Sequence, residues 1–496
     1  MKFKNIFIAN RSEIARRVIR SAHECGYRTS VAFSPHDATA LFVRESNQAF
    51  PLAGNSPKES YLDIEQILAA AKKANADAVH PGYGFLSENA AFSEAVTKAG
   101  MKFIGPSPEA IELLGDKTKA RALARKLGIP TPDGTASEIT SPEKAIQAAR
   151  KIGFPVLLKA AAGGGGKGMR LVEREEEMAQ SLDRARGEAK SAFGDDRVYI
   201  EKYIARPRHI EFQILADAHG NVIHLGEREC SIQRRHQKLI EESPSVIMTP
   251  ELRREMGEAA ITLVKHAKYE GAATVEFLMG QDRKYYFLEV NTRLQVEHPV
   301  TEFVTGLDLV REQFRIAEGE KIQPPPVPRL EKAGVFSPRG HAIEVRIQAE
   351  DVWNDFLPSL GKIAFVRHPG GAFVRNDSAM FAGLEVSGFY DSLLSKLIVW
   401  DATRDAAIRR MTRALEEMRV AGVSTTIPFA LFAMRNARFQ QGELSTAFVE
   451  HEFSPEAREA ELHRYTTRAE PYFAAVQMLL EERRAREHFI APIVRA

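Results

Sequence analysis

Ten residues, Glu289-Val-Asn-Thr-Arg-Leu-Gln-Val-Glu-His298, gather side chains suited to chemistry into one short run. Glu289, Asn291 and Glu297 offer hard oxygen donors of the kind that hold Mg²⁺, and Arg293 suits a small planar anion. The aromatic run Lys284–Leu288 in front of them predicts a strand. If that strand continues, the odd positions from Glu289 to Glu297 share one face, while Val290, Leu294 and Val296 pack on the other. Taken alone, the stretch also reads as a charged strand end running into a solvated loop.

Three further stretches carry chemistry. Gly163-Gly-Gly-Gly-Lys-Gly168 sits between the predicted strands Gly153–Lys159 and Met169–Val172. Consecutive glycines give up backbone entropy, so a loop whose N–H groups wrap phosphates explains them better than packing does. A flexible linker is the alternative. Met169 stands where a Walker A loop needs a hydroxyl, so the loop is of another kind. Lys117 and Lys159 lie behind it as point charges for phosphate. Leu225–Lys238 holds Arg228, Arg234, Arg235, His236 and Lys238, a candidate anion site or an exposed basic loop. Ala272–Leu278 predicts a strand bearing Glu276, which pairs naturally with the strand ending at Glu289. Together these parts mean ATP and a metal used to activate an anionic acceptor.

The elements that must position them follow in order. Asn5–Ala9, the helically spaced Ile14, Val18 and Ile19, and Thr29–Phe33 form a β-α-β opening, which predicts an open parallel α/β sheet. Its first turn, Asn10-Arg-Ser-Glu13, has no glycine, which rules out a dinucleotide fingerprint there. The turn His80–Asn89 precedes an alanine-rich helix whose N-terminus could receive an anion or simply close a turn. A helix is expected from Lys117 to Leu127. Glu201 and Lys202 lie on a hinge strand beside an adenine-sized slot, or on a charged edge strand. Gln323–Pro328 is a stiff connection, Arg339–Ile347 alternates as a strand, and the chain after Phe453 reads as one or two solvent-facing helices.

Composition narrows the class. With 496 residues the chain needs two to four domains, and Lys+Arg 68 against Asp+Glu 66 gives no global reason to bind nucleic acid. Two cysteines, Cys25 and Cys230, exclude a disulfide scaffold, and no apolar run is long enough for a membrane span. A cytoplasmic protein with no membrane partner is the expectation.

Ala9–Ile14, His80–Asn89, Lys159–Met169, Glu229–Lys238 and Glu289–Thr301 resemble biotin carboxylase, the ATP-grasp component of biotin-dependent carboxylases, over residues 3 to roughly 450. The resemblance implies an α/β and α+β chain. A Rossmann-like pre-ATP-grasp domain would cover 1–114 and an ATP-grasp domain 115–330, with a mobile lid near 131–203. A mixed-sheet domain over 331–450 and a helical tail over 451–496 would follow. It implies that MgATP (or MnATP) phosphorylates bicarbonate, and that the carboxyphosphate formed carboxylates biotin on a carrier.

Roles carry over by position. Lys117, Lys159, Glu201, Lys202, Ile204, His209, Gln233 and His236 contact ATP, and Gly163, Gly164, Gly165 and Gly166 close over its phosphates. Glu276, Glu289 and Asn291 hold the metal. Lys238, Arg293, Gln295 and the Val296 backbone bind bicarbonate. Glu297 is the base, its pKa kept low by the nearby Arg293, so that geometry must compensate. Tyr83 and Arg339 bind biotin, and Arg339 stabilises its enolate. Two residues depart from the pattern: Ser12 replaces a glycine and Thr426 an asparagine, neither at a named catalytic position.

No Met-Lys-Met sequence occurs, so the expected partners are a separate biotin carboxyl carrier protein and a separate carboxyltransferase, with this chain a homodimer. An acetyl- or propionyl-CoA carboxylase is the expected complex, with a two-subunit pyruvate carboxylase second. An ATP-binding regulatory chain without turnover and an amine–carboxylate ligase are the readings from other classes. The intact acids and Lys238 oppose the first of these, and Arg293–Glu297 the second.

Overall fold

A computed structural model describes residues 2–135, 138–139, 141–160, 169–193, 195–323, 338–467 and 478. The opening forms as expected. β1 (Asn5–Ile8), β2 (Arg28–Phe33), β3 (Gln48–Pro51), β4 (Ala78–His80) and β5 (Lys102–Phe103) make a parallel sheet in the order β3-β2-β1-β4-β5. Alternation along β1 sends Ile6 and Ile8 into one apolar cluster and Phe7 into another, as a sheet covered on both faces requires. The helix Ser12–Glu24 buries Ile14, Val18 and Ile19.

The next sheet is small. β6 (Val156–Ala160) pairs antiparallel with β7 (Arg170–Val172) and β8 (Val198–Lys202), giving the expected strand–loop–strand frame. The phosphate-loop glycines Gly163, Gly164, Gly165 and Gly166 lie outside the described residues. Helices Pro142–Ile152 and Met178–Phe193 cover this sheet and give it a core of its own.

The largest sheet positions the site. β9 (Arg208–Ala216), β10 (Val222–Arg234), β11 (Gln237–Ser243), β12 (Gly271–Met279), β13 (Tyr285–Asn291) and β14 (His341–Gln348) run in the order β13-β12-β9-β10-β11-β14. Strands Leu393–Asp401 and Val374–Ser378 then continue it, making eight in all. β11 pairs with β14 through Ile240–Val345 and Glu241–Glu344, so a boundary at residue 330 divides the sequence but not the sheet.

Three expectations need correction. β13 ends at Asn291, and residues 292–297 bend and turn into the helix His298–Thr305, so the odd positions do not share one strand face. Val296 is only partly buried and lines the cleft. The basic stretch around Arg228 forms a hairpin, which sets aside the exposed-loop alternative for it. Finally, the described start of the tail, helical over residues 455–467, is anchored and not wholly solvent-facing. Glu461 is buried against Arg435, and Tyr465 stacks 6.1 Å from Trp353.

Candidate functional site

A cleft of about 1090 Å³ opens between the small lid sheet, the large sheet and the N-terminal sheet. At its floor lies Lys238. Its Nζ is 2.5 Å from Glu211, 2.9 Å from Glu276 and 2.6 Å from Glu297. Burial alone would strip the proton from this ammonium, but the three carboxylates raise its affinity well above the usual lysine range. Arg228, fully buried, bonds Glu211 at 2.5 Å, and Arg346 bonds Glu297 at 2.8 Å. Three cations thus face three buried carboxylates. Removing any one would leave an uncompensated buried charge, which typically costs about 3–5 kcal/mol.

Glu297 precedes the helix it introduces and is fully buried. Desolvation and Glu211 push its pKa up, but Lys238, Arg346 and Arg228 more than offset them and hold it below the usual value. The direction agrees with the expectation from sequence. The cations that contribute most are these three, and Arg293, whose own charge is favoured by Glu297, adds to them.

Arg293 is fixed on every side. Its Nε donates to Glu88 at 2.8 Å, Nη1 to Gln295 at 3.0 Å and Nη2 to Asn291 at 3.0 Å. Gln295 in turn donates to Glu276 at 3.0 Å. The Val296 carbonyl accepts from buried Lys396 at 2.8 Å, which pins the turn.

The acids expected to hold metal come together as neighbours. Glu276 and Glu289 stand opposite each other across β12 and β13, and the Asn291 amide donates to Glu276 at 2.9 Å. Desolvation opposes the charge on Glu276, but Lys238 and His209 drive its pKa well below the usual range. Lys117 lies 2.6 Å from Glu289. Two facing carboxyl side chains with an Asn side chain alongside supply oxygen donors of the kind a hard divalent cation takes.

Further up the cleft, Lys159 reaches Glu201 at 2.7 Å, and Arg121 also pairs with Glu201. Burial, with Arg121 and Lys117 nearby, still lowers the Lys159 pKa to about 7. Gln233 contacts the His209 ring at 3.0 Å, and Ile204 and His236 also line the wall. Lys202 donates to the Gly153 carbonyl at 2.8 Å. Arg235 and His236 both take positive φ, +49° and +65°, at the hairpin tip that turns His236 into the cleft.

Of the two biotin candidates only Tyr83 lines the cleft, bonded to buried Glu13. Arg339 does not. It precedes Gly340, whose φ of +63° turns the chain into β14, and its guanidinium stacks 4.8 Å over Trp400. The cluster Arg228, Arg234, Arg235, His236 and Lys238 is likewise split. Arg228 is buried and Arg234 stacks over Phe356, leaving Arg235, His236 and Lys238 on the cleft.

Sequence reasoning missed Glu211, Arg346, Glu88 and Lys396. A charge at every second position of an apolar strand, His209 with Glu211 and Glu344 with Arg346, is the signal that could have found two of them. The two departures also gain a meaning. Ser12 adopts φ +61°, where glycine is favoured. Buried Thr426 donates from Oγ1 to the Arg346 carbonyl at 2.9 Å and accepts from the Gln348 amide at 3.0 Å, so it does bear on the strand that holds Glu297.

Known proteins resemble the chain along most of its length. The biotin carboxylase N-terminal domain matches residues 2–111, the ATP-binding domain of the carbamoyl-phosphate synthase L chain matches 116–324, and the biotin carboxylase C-terminal domain matches 344–451. A pyruvate carboxylase subunit from Methanothermobacter thermautotrophicus is 51% identical over 448 residues, covering 90% of each chain. Biotin carboxylase of a Nostoc species is 50% identical, covering 91% of this chain and 99% of its own. The propionyl-CoA carboxylase alpha chain of Ruegeria pomeroyi, 42% identical, covers 98% of this chain and 73% of its own. The crystal structure of Campylobacter jejuni biotin carboxylase in a β,γ-ATP complex superposes with a TM-score of 0.86 at 44% identity, covering 90% of this chain and 99% of that one.

Proposed function

The chain belongs to the biotin carboxylase family, and from that premise we propose that it carboxylates biotin on a separate carrier protein, using MgATP and bicarbonate. It is an ATP-dependent ligase. The observation that carries the site assignment is Lys238 bridging Glu276 and Glu297, since it joins one of the acids read as metal ligands to the acid read as base.

In this reading Arg293, Gln295 and Lys238 hold bicarbonate beside Glu297. Glu297 takes its proton as the oxygen attacks the γ-phosphate, giving carboxyphosphate and ADP. Glu276, Glu289 and Asn291 would hold Mg²⁺, which would supply neutralisation of charge at the phosphates. Lys117 and Lys159 pair with those phosphates, while Glu201, Lys202, Ile204, His209, Gln233 and His236 wall the nucleotide. Exclusion of water by the lid protects carboxyphosphate from hydrolysis. Tyr83 supports the biotin end of the cleft. Arg339 joins it only after leaving Trp400.

An acyl-CoA carboxylase is the parent complex this reading favours. The propionyl-CoA carboxylase relative is matched along 98% of this chain, so its similarity extends into the tail, whereas the other relatives named above match 90% or 91%. The 51% identity to a pyruvate carboxylase chain supports the second reading. A homodimer with a carrier and a carboxyltransferase as partners belongs to either, and no helix among the described residues is long and apolar enough to cross a membrane.

The test is phosphate release from MgATP with and without bicarbonate and free biotin. Dependence on bicarbonate and stimulation by biotin are expected, and release indifferent to both sinks the assignment. Co-purification of the native complex, with identification of its carboxyltransferase, decides between the two parent complexes.

A further inference from the structure

Residue types alone allow the turn His80–Asn89 to be an anion site or an ordinary turn. Its helix N-terminus is closed by its own residue, because the Asn89 side chain accepts from the Phe92 amide at 2.9 Å. The turn is held from within as well. Asn10 donates from its Nδ2 to the Pro81 carbonyl at 2.7 Å and the Tyr83 carbonyl at 2.8 Å, and the Gly82 amide meets the His80 ring at 3.0 Å. From this rigid platform Glu88 reaches out of the N-terminal sheet region to residues more than 200 positions away. Its Oε1 accepts from the Thr292 amide at 3.0 Å and its Oε2 from Arg293 Nε at 2.8 Å.

The remaining donors of Arg293 point the other way. Nη1 rests on the Gln295 amide oxygen and, at 3.2 Å, the Leu294 carbonyl, and Nη2 on the Asn291 amide oxygen; Gln295 and Asn291 line the cleft with Arg293, while Glu88 is not part of that lining. The guanidinium is therefore gripped from behind at Nε and presents its Nη1–Nη2 edge to the cleft. That edge matches a planar anion with two parallel bonds, and neutral amides yield to an anion more readily than a carboxylate does.

We propose that Glu88 is a positioning residue for bicarbonate binding: it fixes the Arg293 guanidinium through Nε so that the opposite edge faces the anion. This rests on the function proposed above. The Glu88 side chain is 35% exposed and that of Arg293 17%, so thermal melts of each variant accompany the kinetics, and the geometric role predicts a melt close to wild type.

Glu88→Gln keeps an acceptor for the Thr292 amide and removes the charge that holds Nε. Glu88→Asp keeps the charge and shortens the reach. Bicarbonate-dependent phosphate release is measured for both, with KM for bicarbonate and for ATP determined separately. Loss of orientation at a binding group predicts a KM for bicarbonate raised about tenfold in Glu88→Gln and less in Glu88→Asp, with KM for ATP within about twofold of wild type. A KM for bicarbonate that stays level or falls in Glu88→Gln overturns the proposal, because Glu88 would then be idle or a competitor for Arg293. An equal rise in both KM values overturns it too, as a general distortion of the cleft. Wild-type release that ignores bicarbonate overturns the functional reading itself, which separates the two failures.

Discussion

Arg346 donates from Nη2 to Oε2 of Glu297 at 2.8 Å, while its Nε donates to Glu241 at 2.6 Å, so one guanidinium spans two buried glutamate side chains. With Lys238 on Oε1, the proposed base is held ionised from both sides. An acid so stabilised is a weak base, and its usefulness must come from being fixed beside the proton it takes.

Glu297→Gln keeps the shape and removes the basicity. The expected result is a fall in kcat for bicarbonate-dependent ATP cleavage on the order of 10²-fold or more, with KM for ATP little changed. Steady-state phosphate release measures it, and turnover near wild type removes Glu297 from the role.

Glu241 links the site to pH. Burial raises its carboxyl to about 7, partly countered by Arg346, with Glu297 adding to the rise. The native state therefore holds a proton that the unfolded chain, titrating near the ordinary carboxyl value of 4.5, gives up. Stability from this group is greatest at low pH and is lost as pH rises from about 4.5 through about 7. Glu241→Gln is expected to flatten thermal stability between pH 5 and 7, checked by melts at fixed ionic strength (pH bounds about those of the shift). An unchanged slope shows that another group carries it.

Lys159 predicts a proton uptake. Its pKa is lowered to about 7 in the free protein, and a phosphate beside it favours the charged form. Below pH 7 the ammonium is already formed, whereas above it nucleotide binding must take up a proton, up to about one per site. Titration calorimetry of ADP in buffers of different ionisation enthalpy reads that number directly. Lys159→Met should abolish the uptake.

Glu289 stands across from Glu276 with only Lys117 as its ion-pair partner among the described residues. Removing one charged oxygen donor from a Mg²⁺ site should raise the metal concentration for half-maximal activity on the order of tenfold in Glu289→Gln, a loss of about 1.4 kcal/mol. A Mg²⁺ titration at saturating ATP tests it, and EDTA should silence the wild type.

Ser12 sits at φ +61° at the start of the helix Ser12–Glu24. A side chain there costs roughly 1–2 kcal/mol, while glycine gives back about 0.5–1 through the unfolded state. Ser12→Gly should therefore stabilise the protein by about 1 kcal/mol or less, seen as a small rise in Tm with KM values unchanged.

The sequence alone determined the parts that depend on neighbours along the chain. The β-α-β opening, the strand bearing Glu276, the strand ending at Glu289, and the run of Asn291, Arg293, Gln295 and Glu297 are all local, because period and residue type follow from a few consecutive positions. Only the tertiary structure decided which strands lie side by side, and with them the partners of the base. Arg346 is 49 positions from Glu297 and Glu88 is 205 from Arg293. Arg228 and Arg234 look alike in the same basic run. Register shifts between β10 and β11, at Glu229/Ile232 and again at Ile232/Gln233, lie between the two and break the simple alternation of faces, and one arginine is buried while the other stacks outside. A bulge moves a side chain to the other face without changing the composition, so spacing could not report it. For the same reason the run from Glu289 to Glu297 was legible as chemistry but not as shape. Its strand stops at Asn291, and a turn carries Glu297 down to Lys238.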